Sequence, residues 1–340
     1  MQHRRPRSAI LFLCAAIALS GAALLSLALG PAGIPVRRIA GLLLSLLAGR
    51  PVQGATALIV LQLRLPRIIL GGLVGAGLAS AGTAFQAILG NPLADPYVIG
   101  VSAGAGLGAT LGIVLGLDFS LLGLGGVPLL AFLGALLTVL LVYALARVDG
   151  KVTVYSLLLS GVAVGAFLAA CVSLLLVFFR RSLDEVVFWL MGGLAGRGWP
   201  QVWNTAPYIA AGLAVLWLMA RELNLMTLGD ENAAHLGVET ARARGLILAA
   251  GSLLAAAAVA ASGVIGFVGL MIPHMARMLV GGDHRRLLPF STLFGAAFLI
   301  LTDTVARVAL SPLEIPVGVI TALCGGPFFL WILKRRGNAA

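Results

Sequence analysis

Residues 245–281 read GLILAAGSLLAAAAVAASGVIGFVGLMIPHMARMLVG. At 1.5 Å per residue this almost wholly apolar run is too long for one crossing of a hydrocarbon core about 30 Å thick, and barely enough for two. Charge arbitrates. Arg242 and Arg244 precede the run and Arg285 and Arg286 follow it, and an excess of Lys and Arg marks the cytoplasmic side of a membrane. Both ends therefore belong on one side, and the segment is a helical hairpin.

Outward from this hairpin the same pattern repeats. Of the 340 residues 60% are apolar and 10% charged, with a mean hydropathy of +1.07, against roughly 25% charged residues in a soluble domain. Ten apolar stretches are long enough to span: about 9–30, 67–89, 95–116, 127–146, 153–178, 203–220, 245–262, 264–281, 288–309 and 315–333. The run after Arg4, Arg5 and Arg7 exceeds the apolar core of a secretory signal and is taken as the first span. With both termini cytoplasmic, 14 of the 23 Lys and Arg residues fall inside, including Lys334, Arg335 and Arg336. The expectation is an all-α integral membrane protein, residues 1–340 forming a single transmembrane domain. Interfacial or short helices are expected near Arg38–Leu47 and Asp184–Met191, both outside.

The net charge of +11 does not indicate nucleic acid, because the arginines stand singly or in pairs between apolar runs instead of forming a basic face. Lipid and the positive-inside bias account for them. Cys14, Cys171 and Cys324 each lie in a separate span, so neither a disulfide framework nor a metal cluster is suggested, and they read as small core residues. Gly100, Gly104, Gly108, Gly112 and Gly116 recur every fourth residue, a spacing that lets a neighbouring helix approach closely. Gly71 with Gly75, and Gly161 with Gly165, repeat the device. Gly82, Leu89 and Pro92 recur 181 positions later as Gly263, Leu270 and Pro273, as an inverted repeat would require.

Chemistry is sparse. A nucleotide-binding P-loop ends in Gly-Lys-Ser/Thr, but the two lysines, Lys151 and Lys334, precede Val152 and Arg335. If ATP drives this protein, another polypeptide binds it. An ion-coupled carrier needs ionisable residues in mid-membrane, and only Asp303 qualifies, four residues before Arg307 where the two can pair on one helix face. His274 and His284 are too far apart to chelate a metal from one helix, and His274 after Pro273 reads as an interface residue at a helix start. No catalytic arrangement, cofactor or resident metal is expected. The longest polar interruption, Glu222–Arg244, carries a short helix across Leu228, Gly229, Asp230, Glu231, Ala233, Ala234, His235, Leu236 and Gly237. Its first turn is acidic and Gly237 can close it, features that suit a docking helix better than a plain loop.

The chain carries an ordered set of motifs: Arg64-Leu-Pro-Arg67, Gln86 with Asn91-Pro-Leu-Ala-Asp-Pro96, Gly100-Val-Ser-Ala-Gly-Ala105, Trp189-Leu-Met-Gly-Gly193, and Gly229-Asp-Glu with Ala234-His-Leu-Gly237. They continue with Gly266-Phe-Val-Gly-Leu, Pro273-His274, Asp283-His-Arg285, Asp303 with Arg307, Glu314-Ile-Pro316 and Gly325-Gly-Pro-Phe328. In these motifs the chain resembles the FecCD permeases, membrane subunits of importers for ferric siderophores, haem and vitamin B12.

The resemblance implies a BtuC-like fold with spans 2–5 and 7–10 inversely related. It also implies a second permease subunit, identical or paralogous, two ABC ATPase subunits on the cytoplasmic face, and an external substrate-binding protein. The expected cargo is a metal chelate, a ferric siderophore ahead of haem or cobalamin, with spans 2, 3, 5, 8 and 10 walling its path. Three sites follow as expectations. The 228–237 helix couples to the ATPase. Asn91, Pro92 and Leu93, with Thr153, form a cytoplasmic gate, since Pro92 turns Asn91 away from helix. Arg64, Arg67 and Arg307 are expected to dock glutamates of the binding protein, with snorkelling at the membrane surface as the alternative.

Overall fold

The computed structural model describes residues 5–31, 33–49, 53–117, 119–121, 124–148 and 151–337. The chain begins with α1 (Arg5–Ala28) and the amphipathic α2 (Val36–Leu47). Next, α3 (Ala55–Leu58) runs through a π turn (Ile59–Arg64) into α4 (Leu65–Ile88). Pro66 has no N–H to give the preceding turn, and the widened turn ahead of it absorbs that loss. There follow α5 (Val101–Val114), α6 (Gly126–Leu145), α7 (Val154–Phe178) and the short α8 (Leu183–Leu190). Then come α9 (Trp199–Leu218), α10 (Ala220–Met226), bent from α9 by 58°, and α11 (Asp230–His235). The chain closes with α12 (Thr240–Ser262), α13 (Val268–Val280), α14 (His284–Val308) and α15 (Val317–Gly337).

Each of the ten apolar stretches expected from sequence is a helix, and the hairpin at 245–281 is α12 and α13. Its far end is tied to α10, because Asn224 bonds Asp283 just behind the hairpin at 2.7 Å. The third and eighth spans are shorter than expected, 14 residues in α5 and 13 in α13, so α5 is only about 21 Å long. The missing length is broken backbone. Residues 95–100 enter the bundle as a turn capped by Asp95, and residues 263–267 enter it from the opposite end. The two breaks meet inside: Tyr97 Oη donates to Ile265 O at 3.1 Å, and the Pro96 ring lies against Gly269. Non-helical backbone at membrane depth is tolerated where it is enclosed by protein in this way. A short helix thus stands second in each of the two four-span sets, α4–α7 and α12–α15.

The centre is α4, α12 and α14, whose small residues let their axes close. A Cβ on Gly75 would collide with Gly295 O of α14, and one on Gly82 with Gly269 O of α13. Gly104 and Gly108 meet α6 backbone in the same sense, whereas Gly100 and Gly116, at φ 85° and 59°, punctuate the ends of α5 instead of lying on its packing face. Gly165 touches nothing. Side chains of α4 are mostly buried within the chain. By contrast α7 leaves Leu159, Val162, Phe167, Leu174 and Phe178 exposed, and α15 leaves Leu323, Leu330 and Trp331 exposed. Cys14 and Cys324 are also exposed, unlike the core placement expected, since they lie on outward faces of α1 and α15. His274 sits inside α13 with its ring edge-on to Phe328 at 6.0 Å, not at a helix start, because Pro273 is accommodated within that helix.

Candidate functional site

Two polar clusters close the bundle at opposite ends. At the first, α10 and α11 form an elbow. Gly229, at φ 92°, turns the chain into α11 and Gly237, at φ 83°, turns it out, conformations that cost a residue with a Cβ about 1–2 kcal/mol. Asp230 opens the helix and receives both its carboxylate contacts from Arg244 Nη2, at 2.6 and 2.7 Å. The same guanidinium, through Nη1, donates to Val152 O at 3.0 Å. One side chain therefore ties α11 to the residue before Thr153. Thr153 itself caps α7, accepting from Ser156 N at 3.1 Å, while Ser156 Oγ reaches back to Ala146 O at 2.8 Å.

A second tie runs from α10 to α14. Asn224 Oδ1 accepts from the backbone N of His284 and from its Nδ1, each at 2.8 Å, and Asn224 Nδ2 donates to Asp283. A backbone N–H can only donate, so the amide orientation follows, and with it the Nδ1–H tautomer of His284. Asp283 also caps α14 through Arg285 N at 3.1 Å. Burial works to raise the Asp283 carboxyl, yet the Asn224 and Arg285 bonds and the nearby Arg285 and Arg286 charges hold it below the usual carboxylate range. Since its pKa is depressed on folding, this tie is intact at neutral pH and is lost only as acid protonates the carboxyl.

Of the residues expected to couple, Leu228 and Leu236 are 56% and 52% exposed, and Glu231, Ala234 and His235 share that surface. Ala233 differs. It is fully buried beneath α11, so it supports the helix and cannot touch a partner. Of the expected gate, Asn91 forms an Asx turn, Oδ1 accepting from Leu93 N at 2.9 Å, which replaces the helical bonds that Pro92 forbids. The loops bearing Asn91 and Thr153 lie at the same end as α11, by the alternation of α4 to α7. Sequence reasoning passed over Arg244 and Asn224. An arginine beside a span reads as a topology marker, and only the fold brings it to Asp230 and Val152.

At the opposite end Arg64, Arg67 and Arg307 converge, as their motifs suggest, but not as free surface cations. Arg64 is 4% and Arg307 3% exposed. Arg64 Nη1 donates to Leu27 O at 2.7 Å, and Gly30 provides room, since a Cβ there would lie 2.7 Å from Arg64 Nη2. Arg307 Nη2 donates to Ser26 Oγ at 2.7 Å and its Nε lies 3.3 Å from Asp303. Arg67 holds Asp303 at 2.9 Å and Glu314 at 3.0 Å. Arg64 and Arg307 are therefore not exposed as the docking expectation had them: both are enclosed beside α1, where its carbonyl oxygens and Ser26 Oγ accept from their terminal nitrogens. Asp303, expected as an ion pair or a proton relay, sits between two arginines as the former. Arg67 and the partly exposed Glu314 remain at the rim.

Among the described residues six helices, or seven with the bent α9–α10 pair, are long and apolar enough to cross a membrane, and three shorter apolar helices pack with them, which defines a multi-pass membrane protein. The chain belongs to the FecCD transport family, whose model matches residues 6–335, and as such it is the permease subunit of an ABC importer in the inner membrane, working with ATPase and substrate-binding components. It is 42% identical over 285 residues to the cobalamin import system permease protein BtuC of Halobacterium salinarum, covering 84% of this chain and 76% of that one. It is 38% identical over 319 residues to the Fe(3+) dicitrate transport system permease protein FecD of Escherichia coli, covering 94% and 96%. Among solved structures it matches an inward-facing metal-chelate type ABC transporter with a TM-score of 0.83 at 35% identity, over 96% of this chain and 99% of that one.

Proposed function

We propose that this chain imports a metal chelate, a ferric siderophore before cobalamin or haem, by alternating access. It pairs with a second permease, identical or paralogous, above two cytoplasmic ATPases and beneath an external binding protein. All of residues 1–340 serve as one membrane domain, with the α11 end and both termini cytoplasmic. The cargo class is supported by relatives named for cobalamin and for Fe(3+) dicitrate and by the metal-chelate structure. The observation that carries the mechanism is the Arg244 bridge between Asp230 and Val152. ATPase closure pushes α11 through Leu228, Ala234, His235 and Leu236, with Glu231 at the rim. The bridge passes that displacement to Thr153 and α7, whose exposed apolar face meets the second permease. Gly229, Asp230, Ala233 and Gly237 shape the helix instead of touching the ATPase.

The gate is formed by Asn91, Pro92 and Leu93 beside Thr153. Cysteines placed at Asn91 in both permeases of a complex should crosslink in one nucleotide state and not in another, measured by gel shift with and without ATP and vanadate. Equal crosslinking in every state would refute gating there. At the cytoplasmic surface, Ala234→Arg should leave the permease folded but reduce ATPase co-purification at least about tenfold, since a charge would be forced into an apolar contact. Retention of the ATPase would remove α11 from the interface.

At the external rim Arg67 docks the binding protein, an incoming carboxylate competing with Glu314 for its guanidinium. Arg64 and Arg307 take part by fixing Arg67 and Asp303 from below.

A further inference from the structure

Beside Arg67 a cavity of about 400 Å³ opens at the end opposite α11, between α5, α8, the loop after α8 and the starts of α6 and α15. Arg67, Glu185, Trp189, Arg197 and Glu314 contribute its polar wall. Arg67 is committed to Asp303 and Glu314. Arg197 is not committed. Among the described residues no carboxylate lies within ion-pair distance of it, and its Nε is buried with no hydrogen-bond partner. Trp189 Nε1, on the same wall, is likewise buried and unfilled.

Both nitrogens lie within the wall, behind the cavity surface, where each unfilled donor costs about 1–3 kcal/mol, and more when charged. Burial accordingly pulls the Arg197 guanidinium down from its ordinary value. Nor is the wall loose. Gly193 N donates to Ser262 O at 2.7 Å and Gly318 N to Gly192 O at 3.3 Å, and Gly192, at φ 68°, has no space for a Cβ beside Val264 O. The loop carrying Arg197 is therefore pinned to α12 and α15 whether or not the cavity is filled.

We propose that this cavity receives an oxyanionic group of the chelate, a carboxylate or its equivalent, attracted by the unpaired charge of Arg197 before the cargo enters the path. The volume suits a small molecule, within the roughly 300–1,000 Å³ of ligand pockets, better than one acidic side chain. Carboxylate and other oxygen ligands suit hard metal ions, so an oxyanionic group belongs to the chemistry of such a cargo. Glu185 on the rim opposes anions and sets a limit on affinity. This inference rests on the importer reading.

The test is calorimetric titration of the full chain in lipid nanodiscs with citrate and with its ferric complex as probes. Arg197→Gln should weaken binding at least about tenfold, the loss expected for one charge-assisted contact. Arg197→Lys should retain most of it. Glu185→Gln should strengthen binding, which a merely structural role for this wall would not produce. Citrate affinity unchanged in Arg197→Gln would overturn the assignment. So would an Arg197→Gln defect seen only against the substrate-loaded binding protein, which would identify the occupant as that protein's carboxylate. Failure of ATPase and binding-protein association would sink the importer reading instead, a result that citrate binding does not depend on.

Discussion

Replacing Arg244 with alanine is expected to cut import at least about tenfold while the attached ATPase continues to hydrolyse ATP, because one ion pair and one carbonyl bond are lost together. The loss is mechanical more than energetic. Asp230 is half exposed, so the ion pair itself contributes only about 1 kcal/mol, and the bundle, held by α4, α12 and α14, stays folded. What disappears is a side chain that joins α11 to the residue before Thr153. Arg244→Lys should rescue poorly, since an ammonium cannot present the fork that serves Asp230 and Val152 at once. Asp230→Asn should be milder. Reconstitution with vanadate-sensitive hydrolysis and chelate uptake measured on the same vesicles separates the cases. Parallel loss of both activities in Arg244→Ala would mean that the residue serves assembly, not transmission.

The second large effect is expected at Asp303. Asp303→Ala leaves Arg307, 3% exposed, with Ser26 as its remaining partner and leaves Arg67 with Glu314 alone. Removing one partner of a buried pair costs about 3–5 kcal/mol, because the surviving charge stays desolvated. The thermal unfolding temperature in detergent should fall by several degrees, with less folded protein recovered from the membrane. Replacing both Asp303 and Arg307 with leucine should recover much of the loss, since no unpaired charge then remains at that position. If Asp303→Ala matches the wild type in melting while losing transport, Asp303 acts in translocation and the structural pairing is not its role.

The sequence made the spans legible because each is a long apolar run between charges, and the solvent imposes that pattern directly. Both the hairpin at 245–281 and the short helix after Gly229 were readable, one from flanking arginines and the other from an acidic first turn and a closing glycine. The broken entries to α5 and α13 were not. Residues 95–100, Asp-Pro-Tyr-Val-Ile-Gly, carry turn signals at both ends, and 263–267 hold two glycines, yet both stretches were absorbed into the apolar runs beside them, and their meeting through Tyr97 and Ile265 shows where the helices stop short. The site residues divide in the same way. Motif positions located Arg64, Arg67 and Arg307 at one end, but burial depends on α1, which packs over them from 281 residues away in the case of Ser26 and Arg307. Local pattern cannot carry a contact of that range. Ala233 and Ala234 are adjacent and identical in type, yet one is buried and the other exposed, a difference set by what lies under α11.

The central claim is that this permease is moved by ATP hydrolysis in another polypeptide that grips α11. The most direct measurement is chelate uptake into proteoliposomes holding the permease with its co-purified ATPase and external binding protein, with no ion gradient imposed. Uptake should require ATP, stop with vanadate, and be lost in Ala234→Arg. Uptake by the permease alone under an imposed proton or sodium gradient, unaffected by vanadate, would contradict the account.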